Sequence, residues 1–142
     1  MKISTKGRYA LRFLLDLARQ DSNEYTRLKD IAARQDISEK YLEQISGTLA
    51  KAGLIKGVRG SQGGYKLVKE PSQYTIASIL RVTEGSFAPV ACLDGEVNTC
   101  ARSAECDTLP FWKGFYQVIT DYLEGTTLQT LLDAQCVEDY SI

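Results

Sequence analysis

Three cysteines close together in the sequence are the residues best suited to chemistry. Cys92, Cys100 and Cys106 have the spacing C-x7-C-x5-C. Thiolates are soft ligands, and three of them in one loop can surround a soft metal centre such as an iron–sulfur cluster. A structural zinc site is disfavoured, because it takes four ligands with paired spacing and this chain has no histidine. The spacing leaves three alternatives open: a metal or cluster site, free buried cysteines, or a redox disulfide.

The same cysteines do not predict an enzyme. A thiol-redox enzyme typically uses a C-x-x-C motif or a histidine base, and the chain contains neither. Cys136 lies 30 residues beyond Cys106, and we interpret it first as a packed or exposed thiol. We therefore expect no enzymatic activity.

A second group of polar residues follows Ser38, which is a good N-cap residue. Leu42, Ile45 and Leu49 recur at i, i+3 and i+7, which predicts a helix with one buried stripe. The first two turns of that helix carry outward-facing polar residues: Glu39, Lys40, Tyr41, Glu43 and Gln44.

Such a helix suits recognition of DNA. The N-terminal residues of a recognition helix reach base edges in the major groove. Gln44 can form two hydrogen bonds with adenine, one through its amide oxygen and one through its amide NH2, and Glu43 can accept a hydrogen bond from cytosine N4. We expect Lys40 and Tyr41 to contact phosphate or sugar, which position a protein without reading sequence.

A glycine-rich turn follows the recognition helix. Two strand candidates, Leu54 to Val58 and Tyr65 to Val68, flank residues 59–64, and this order predicts a hairpin. Arg59 at the tip suits a narrow minor groove, and the neighbouring glycines permit close approach to another surface. We also expect Ser61 and Tyr65 to contact DNA. The alternative is a solvated hairpin with a stray arginine.

These patterns predict a winged helix-turn-helix over residues 28–67, with a further helix before it. Residues 4–20 predict a helix capped by Ser4 or Thr5, with Lys6, Arg8 and Arg12 near its start. Its apolar face contains Ala10, Leu11, Phe13, Leu14, Leu17 and Ala18. Thr26 is a candidate N-cap for a short helix, and residues 35–37 form the turn before Ser38.

The second half of the chain predicts more helices around the cysteines. Thr75 can cap a helix that ends by Gly85, and residues 86–107 form a loop without periodicity. Thr108 can cap a long helix that ends at Gly125, and Thr127 starts a brief one. The predicted apolar stripe of the long helix contains Trp112, Phe115, Tyr116, Ile119, Tyr122 and Leu123.

These elements define the expected fold class: mainly α with a small β hairpin, a winged helix-turn-helix plus a long C-terminal dimerisation helix. We divide the chain into a DNA-binding domain (1–85), a cluster-binding loop (86–108), and a dimerisation helix with a C-terminal tail (109–142). Two long helices could pack antiparallel across a two-fold axis and form a homodimer. The alternative is that their aromatic residues pack on their own domain.

The distribution of charge agrees with a nucleic-acid partner. Residues 1–67 hold 13 Lys and Arg against 7 Asp and Glu, a net charge of +6, whereas residues 68–142 hold 4 against 11, a net charge of −7. A basic half favours phosphate contacts, and it argues against a winged helix that serves only as a protein-binding face. The sequence shows neither a signal peptide nor an apolar run of the roughly 20 residues that span a bilayer. We expect a cytoplasmic protein.

Three motifs resemble the IscR-type family of bacterial winged-helix regulators, which includes an iron–sulfur cluster regulator. They are residues 1–10 (MKISTKGRYA), residues 41–44 (YLEQ) and residues 58–65 (VRGSQGGY). The resemblance implies a homodimer that binds palindromic promoter sites in double-stranded DNA. It also implies that Ser38, Glu43 and Gln44 touch bases, and that Glu43 helps to select between two classes of site.

The family resemblance favours a cluster on the three cysteines, with [2Fe–2S] preferred over [4Fe–4S], and the isolated protein can be in the apo form. The fourth ligand does not carry over. Leu109 stands where the cluster regulators have histidine, and Arg8 stands where the nitric-oxide sensors have an acidic ligand. The remaining candidates are Asp107, Glu105, Asp94, Cys136 and a small exogenous thiol.

The sequence thus leads to a functional hypothesis and an alternative. The hypothesis is a transcription repressor of iron–sulfur assembly genes that senses its cluster. The alternative is a repressor of the same family that responds to nitric oxide or thiol oxidation without a stable cluster. The family also includes a cysteine-metabolism repressor that lacks the cluster cysteines.

Overall fold

The computed structural model describes the backbone of residues 1–140 and the side chains of residues 1–134. Six α-helices and one antiparallel hairpin make up the fold, which confirms the predicted fold class of mainly α with a small β hairpin. The elements are α1 (Thr5–Ala18), α2 (Leu28–Gln35), α3 (Glu39–Lys51), β1 (Ile55–Val58), β2 (Gly64–Leu67), α4 (Ile76–Glu84), α5 (Leu109–Gly125) and α6 (Leu128–Tyr140). Two short 3₁₀ turns lie at Pro71–Gln73 and Ala91–Leu93.

Three of the predicted helix caps are present. The hydroxyl oxygens of Ser4, Ser38 and Thr75 each accept a hydrogen bond at 3.1 Å from the backbone N–H three residues ahead. Each of these bonds satisfies one of the N–H groups that a helix leaves unpaired at its start. Thr108 precedes α5 but makes no such capping bond.

The predicted cap at Thr26 is wrong. The N-cap of α2 is Arg27, whose side chain makes no capping bond. Thr26 instead pairs with Tyr65 in an antiparallel bridge, with both N–H···O distances at 2.8 Å. This single bridge holds the residue just before α2 against the wing.

The wing itself is a two-stranded hairpin with Ile55 opposite Leu67 and Val58 opposite Gly64. Tyr74, which is fully buried, holds its base together. Its hydroxyl donates to the Leu54 carbonyl at 2.6 Å and accepts from the Val68 N–H at 3.0 Å. The phenol thus satisfies two backbone groups at the point where the two strands meet the core.

The core lies between α1, α3 and α4. The predicted inner stripe of α3 is confirmed, because Leu42, Ile45 and Leu49 are fully buried. They pack with fully buried residues from α1 and α4, including Phe13 and Ile79. The outer face of α3 is consequently free to contact a partner.

The apolar residues of α5 divide between two faces of the helix, not one as predicted. Tyr116, Ile119 and Leu123 pack against the core. The adjacent face of the helix exposes four large apolar side chains: Phe111 (63%), Phe115 (42%), Val118 (67%) and Tyr122 (72%). The sequence pattern could not separate these faces, because both carry apolar residues.

The C-terminal helices are tied to the winged helix through backbone pairing. The N–H of Ile76 donates to the Thr126 carbonyl at 2.9 Å, and the N–H of Leu128 donates to the Tyr74 carbonyl at 3.0 Å. Helix α6 is longer than the brief helix predicted. Within the described residues, no helix combines the length and the apolar character needed to cross a membrane.

Candidate DNA-binding surface and cysteine loop

The outer face of α3 presents most of the residues predicted to bind DNA. These residues are all exposed: Ser38, Glu39, Lys40, Glu43 and Gln44. Residues 39, 40, 43 and 44 repeat every helical turn, so they form one polar strip opposite the buried stripe. Hydrogen-bonding groups for base edges and a positive charge for phosphate therefore lie together.

Tyr41 occupies a different environment from its neighbours in the sequence. It is half-buried, and its ring meets Tyr9 of α1 edge-to-face with 5.6 Å between centroids. The Arg12 guanidinium lies over the Tyr9 ring at 5.2 Å. Tyr41 thus attaches α3 to α1, and its contact with phosphate or sugar stays a prediction.

The tip of the wing exposes Arg59 and Ser61, as expected for residues that reach DNA. Arg27, at the start of α2, donates to the Ser61 carbonyl at 2.5 Å and anchors the tip. Between the wing and the starts of α2 and α3 lies an open groove of about 570 Å³ that Arg27, Lys29, Glu39 and Arg59 help to line. Three of these four side chains are basic, which suits a phosphate backbone.

The glycines of the wing approach the protein's own backbone. A Cβ on Gly63 would collide with the Val58 carbonyl oxygen, and one on Gly64 with the Thr26 carbonyl oxygen. Gly64 also has a φ of +155°, which disfavours other residues. The close approach expected from the sequence therefore includes these intramolecular contacts.

Tyr65 lies where the wing meets α1. Its ring packs against Phe13 with 6.2 Å between centroids, and a Cβ on Gly57 would lie 2.7 Å from its Cε1. The ring therefore orients the wing, while its predicted contact with DNA stays a prediction.

A polar cluster around one buried carboxylate, not anticipated from the sequence, joins α1 to the end of α2. Asp16 is 2% exposed. Its carboxylate accepts from Arg34 Nη2 at 2.7 Å, from Arg34 Nε at 3.0 Å and from Gln35 Nε2 at 2.9 Å. The hydrogen bond to Asp16 raises the pKa of Arg34 above its ordinary value. An aspartate between Leu15 and Leu17, in the middle of an apolar helix face, was the available sequence signal.

Arg12 adds a second link at the same place. Its Nε donates to Gln35 Oε1 at 3.2 Å, and its Nη2 donates to the Gln35 carbonyl oxygen. Helix α1 thus holds both the side chain and the backbone of the last residue of α2. We name Arg12, Asp16, Arg34 and Gln35 the turn clamp.

The cysteine loop connects α4 to α5 and is anchored at both ends. Phe87 is 4% exposed, meets Tyr116 edge-to-face at 6.2 Å and lies beneath the Arg81 guanidinium at 5.2 Å. At the other end Leu109, 9% exposed, begins α5. Leu109 is therefore a packing residue at the position where the family's cluster regulators have histidine.

The three thiols within this loop differ in exposure. Cys92 and Cys106 are half-buried, Cys100 is exposed, and all three are free. Among the side chains of residues 1–134, no three or more histidine, cysteine or carboxylate groups are arranged to hold a metal ion. The donor set still fits an iron–sulfur centre chemically, because it offers three soft thiolates on one loop between fixed ends.

Cys106 has surroundings that favour ionisation of its thiol. Its Sγ lies 3.4 Å from Thr108 Oγ1, just before α5 begins. The pKa of Cys106 is lowered by hydrogen bonds, first from the Thr108 side chain and then from the backbone, and also by the charge of Arg102. A thiolate is the form that binds metals and reacts with oxidants.

The candidates for a fourth ligand stay predictions. Asp94, Glu105 and Asp107 are exposed residues of the loop. The side chain of Cys136 lies outside the described part of the chain. Arg8 is exposed on the first turn of α1, where its Nη2 donates to Thr5 Oγ1 at 3.2 Å.

A helix-turn-helix with an exposed polar third helix and a basic wing beside it defines the class of winged-helix transcription regulators. Within this class, the chain belongs to the Rrf2 family of iron-dependent transcriptional regulators, whose family model matches residues 3–134. The relatives are transcription regulators, not enzymes, which confirms the expectation from the sequence.

The relatives include the regulators CymR and IscR. The transcriptional regulator CymR of Bacillus subtilis (strain 168) is 40% identical over 131 residues, which cover 92% of this chain and 89% of that protein. The regulator IscR of Vibrio vulnificus (strain YJ016) is 36% identical over 139 residues, 97% of this chain and 82% of that protein. The solved structure of B. subtilis CymR, described as the global cysteine regulator, matches with a TM-score of 0.76 at 39% identity over 94% of this chain and 98% of that one.

Proposed function

We propose that the protein is a homodimeric repressor that binds palindromic promoter sites in double-stranded DNA. The observation that carries this proposal is the exposed polar strip of α3, with the basic wing beside it. Ser38, Glu43 and Gln44 read bases in the major groove, and Lys40 contacts the backbone. Arg59 enters the adjacent minor groove, with Ser61 at the tip of the wing. The place of action is the cytoplasm.

The proposed dimer uses the exposed face of α5. Phe111, Phe115, Val118 and Tyr122 are separated by four, three and four residues, the spacing of a coiled-coil seam. We name these four residues the α5 seam. A second copy packed antiparallel across a two-fold axis would cover it and would present two copies of α3 to the two halves of a palindrome. Residues 1–85 would then bind DNA, 86–108 sense the signal and 109–142 dimerise.

The proposed signal is an iron–sulfur cluster held by Cys92, Cys100 and Cys106, and the proposed targets are iron–sulfur assembly genes. The family's description as iron-dependent and the IscR relatives support this choice. When bound, such a cluster supplies sensitivity to iron supply and to oxidants. The fourth ligand comes from Asp107, Glu105, Asp94, Cys136 or a small thiol.

A second candidate signal is nitric oxide or thiol oxidation without a stable cluster. The lowered pKa of Cys106 favours it, because the thiolate is the form that reacts with oxidants. The relationship to CymR, whose structure is described as that of a cysteine regulator, is consistent with it.

Anaerobic purification separates the two signals. A brown protein with bound iron and acid-labile sulfide supports the cluster, provided that replacing each of the three cysteines by alanine removes the colour. A colourless protein that binds DNA and changes its affinity on thiol oxidation supports the second candidate.

The DNA-binding proposal has its own test. A duplex is first selected by the wild-type protein from a random library, and binding is measured by fluorescence anisotropy. Glu43→Ala and Gln44→Ala should each weaken preference for the selected duplex, by the roughly 1–3 kcal/mol that a good base contact provides. Gln117→Ala, at an exposed glutamine of α5, is the control. Equal binding of all variants to selected and scrambled duplexes would contradict base reading by α3.

A further inference from the structure

The turn between α2 and α3 is short, and the turn clamp holds its first side. Only Asp36 and Ile37 separate Gln35, the last residue of α2, from Ser38, the cap of α3. Asp36 has a φ of 53°, and the N–H of Ile37 donates back to the Ala32 carbonyl at 3.2 Å. The chain therefore has little freedom between the clamp and the start of the recognition helix.

The geometry points to a role for this clamp in DNA recognition: we propose that Asp16 and Arg34 are positioning residues for base reading. The two hydrogen bonds between their side chains hold the end of α2 against α1. Because the turn is short, this constraint also restricts the position of Ser38 and of the first turns of α3. The inference rests on the proposed function of α3 and deepens it. Neither residue needs to touch DNA.

The clamp should affect specific binding more than general affinity for DNA. Hydrogen bonds to base edges require donors and acceptors in fixed positions, whereas long basic side chains reach phosphates from a range of positions. An arginine fork holds a carboxylate at two points, and a lysine holds it at one. A loosened turn would therefore weaken base reading while the electrostatic attraction to the backbone stays.

Arg34→Lys tests this directly, because it removes the fork and keeps the charge. Asp16→Asn is the second variant, because it keeps the shape and removes the charge. Arg81→Lys is the matched control: Arg81 also makes a 2.7 Å ion pair, with Glu124 of α5, but lies on α4 away from the turn. Affinities for the selected duplex and for its scrambled version are measured at one salt concentration, and the folded fraction is measured by urea titration.

The expected result is a fall of about tenfold or more in the ratio of selected to scrambled affinity for Arg34→Lys and Asp16→Asn, the discrimination that one base contact provides. Affinity of Arg34→Lys for scrambled DNA should stay within about twofold, because its charge is unchanged. Arg81→Lys should retain the wild-type ratio.

Two results would overturn the inference. One is an unchanged ratio in Arg34→Lys; the other is a parallel loss of both affinities that follows the folded fraction. If Asp16→Asn does not fold, Arg34→Lys alone tests the inference. The Arg34 side chain is 42% exposed, so we expect this variant to fold. A wild-type protein without preference for its selected duplex would instead contradict base reading itself, and the inference with it.

Discussion

Both carboxylate oxygens of Glu84 accept hydrogen bonds from the Ser4 hydroxyl at 2.8 Å, and Oε1 also accepts one from the Ser4 N–H at 2.7 Å. A carboxylate at the N-terminus of a helix is favourable, because the unpaired N–H groups carry partial positive charge. This contact joins the first turn of α1 to the end of α4, directly before the cysteine loop. Gly7 makes room for it, since a Cβ there would lie 2.5 Å from Glu84 Oε1.

Gly7→Ala should therefore destabilise the protein relative to Gly47→Ala. Both glycines are helical, but a Cβ on Gly47 meets nothing within 4 Å. Gly47→Ala should stabilise by up to about 1 kcal/mol through helix propensity. Gly7→Ala should lose that gain and about 1 kcal/mol more, because the new methyl group displaces the Glu84 carboxylate. Urea unfolding measures both values. In a Glu84→Ala background, the difference in unfolding free energy between the two variants should shrink. An unchanged difference in that background would contradict this explanation.

Tyr74→Phe should cost about 2–3 kcal/mol in the free energy of unfolding. The substitution removes the partner of the buried Leu54 carbonyl and of the partly buried Val68 N–H. Tyr25→Phe is the control, because the half-buried Tyr25 ring keeps its contact with Lys66, whose Nζ lies 4.7 Å from the centroid. Thermal unfolding of the two variants should differ clearly; equal melting temperatures would show that the phenol hydroxyl of Tyr74 contributes little.

Alkaline pH should weaken the fold through the same residue. Burial raises the pKa of Tyr74 above its ordinary value of 10.0. The unfolded chain therefore loses this proton at a lower pH than the folded protein does. The stability that results is fully present below pH 10, and it falls as pH rises from there through the raised pKa. Denaturant unfolding against pH should show a smaller alkaline decrease for Tyr74→Phe than for the wild type, and equal slopes would argue against Tyr74 as the titrating group.

Val118→Glu should convert the proposed dimer into a folded monomer. Val118 is 67% exposed, so the substitution leaves the core intact. In a dimer it would bury an unpaired charge in the α5 seam, at a cost of several kcal/mol, or a dissociation constant raised by about a hundredfold or more. Sedimentation velocity measures this shift. Lys113→Glu, on the same helix but outside the seam, should leave the dimer intact; loss of the dimer there too would place the interface elsewhere.

Arg59→Gln should reduce the salt dependence of DNA binding. Each phosphate neutralised by a basic side chain contributes about 0.9 to the slope of log affinity against log salt concentration. An arginine at the tip of the wing should account for one such unit, together with part of any preference for narrow A·T-rich minor grooves. The slope is obtained from anisotropy titrations at several salt concentrations. Arg81→Gln is the control. The same slope for the wild type, Arg59→Gln and Arg81→Gln would contradict a contact between Arg59 and DNA.

The sequence was sufficient for the features that depend on neighbouring residues. Ser4, Ser38 and Thr75 cap the helices as predicted, because a cap bonds to an N–H only three residues ahead. The buried stripe of α3 also follows from spacing alone, because its residues recur with the period of the helix. The outward position of Glu43 and Gln44 is the consequence of that stripe.

Long-range pairing was decided only by the tertiary structure. Thr26 looks like a cap in the sequence and instead forms an isolated β-bridge, because Tyr65, 39 residues away, pairs with its backbone. Asp16 looks like an interruption of an apolar face until Arg34 and Gln35 lie beside it. The two faces of α5 are equally apolar in sequence, and packing against α4 determines which one is buried.

The cysteine loop shows the same division. Its residue types indicate soft-metal or redox chemistry, since the thiol is a property of each residue alone. Whether three sulfurs meet at one centre depends on the path of the loop between Phe87 and Leu109, which spacing does not encode. Among the described side chains they do not form a group arranged to hold a metal ion, and Cys106 lies before α5, where its surroundings lower the pKa of the thiol. Local chemistry was thus readable from the sequence, and distances between distant residues were not, because they depend on the packing of the whole chain.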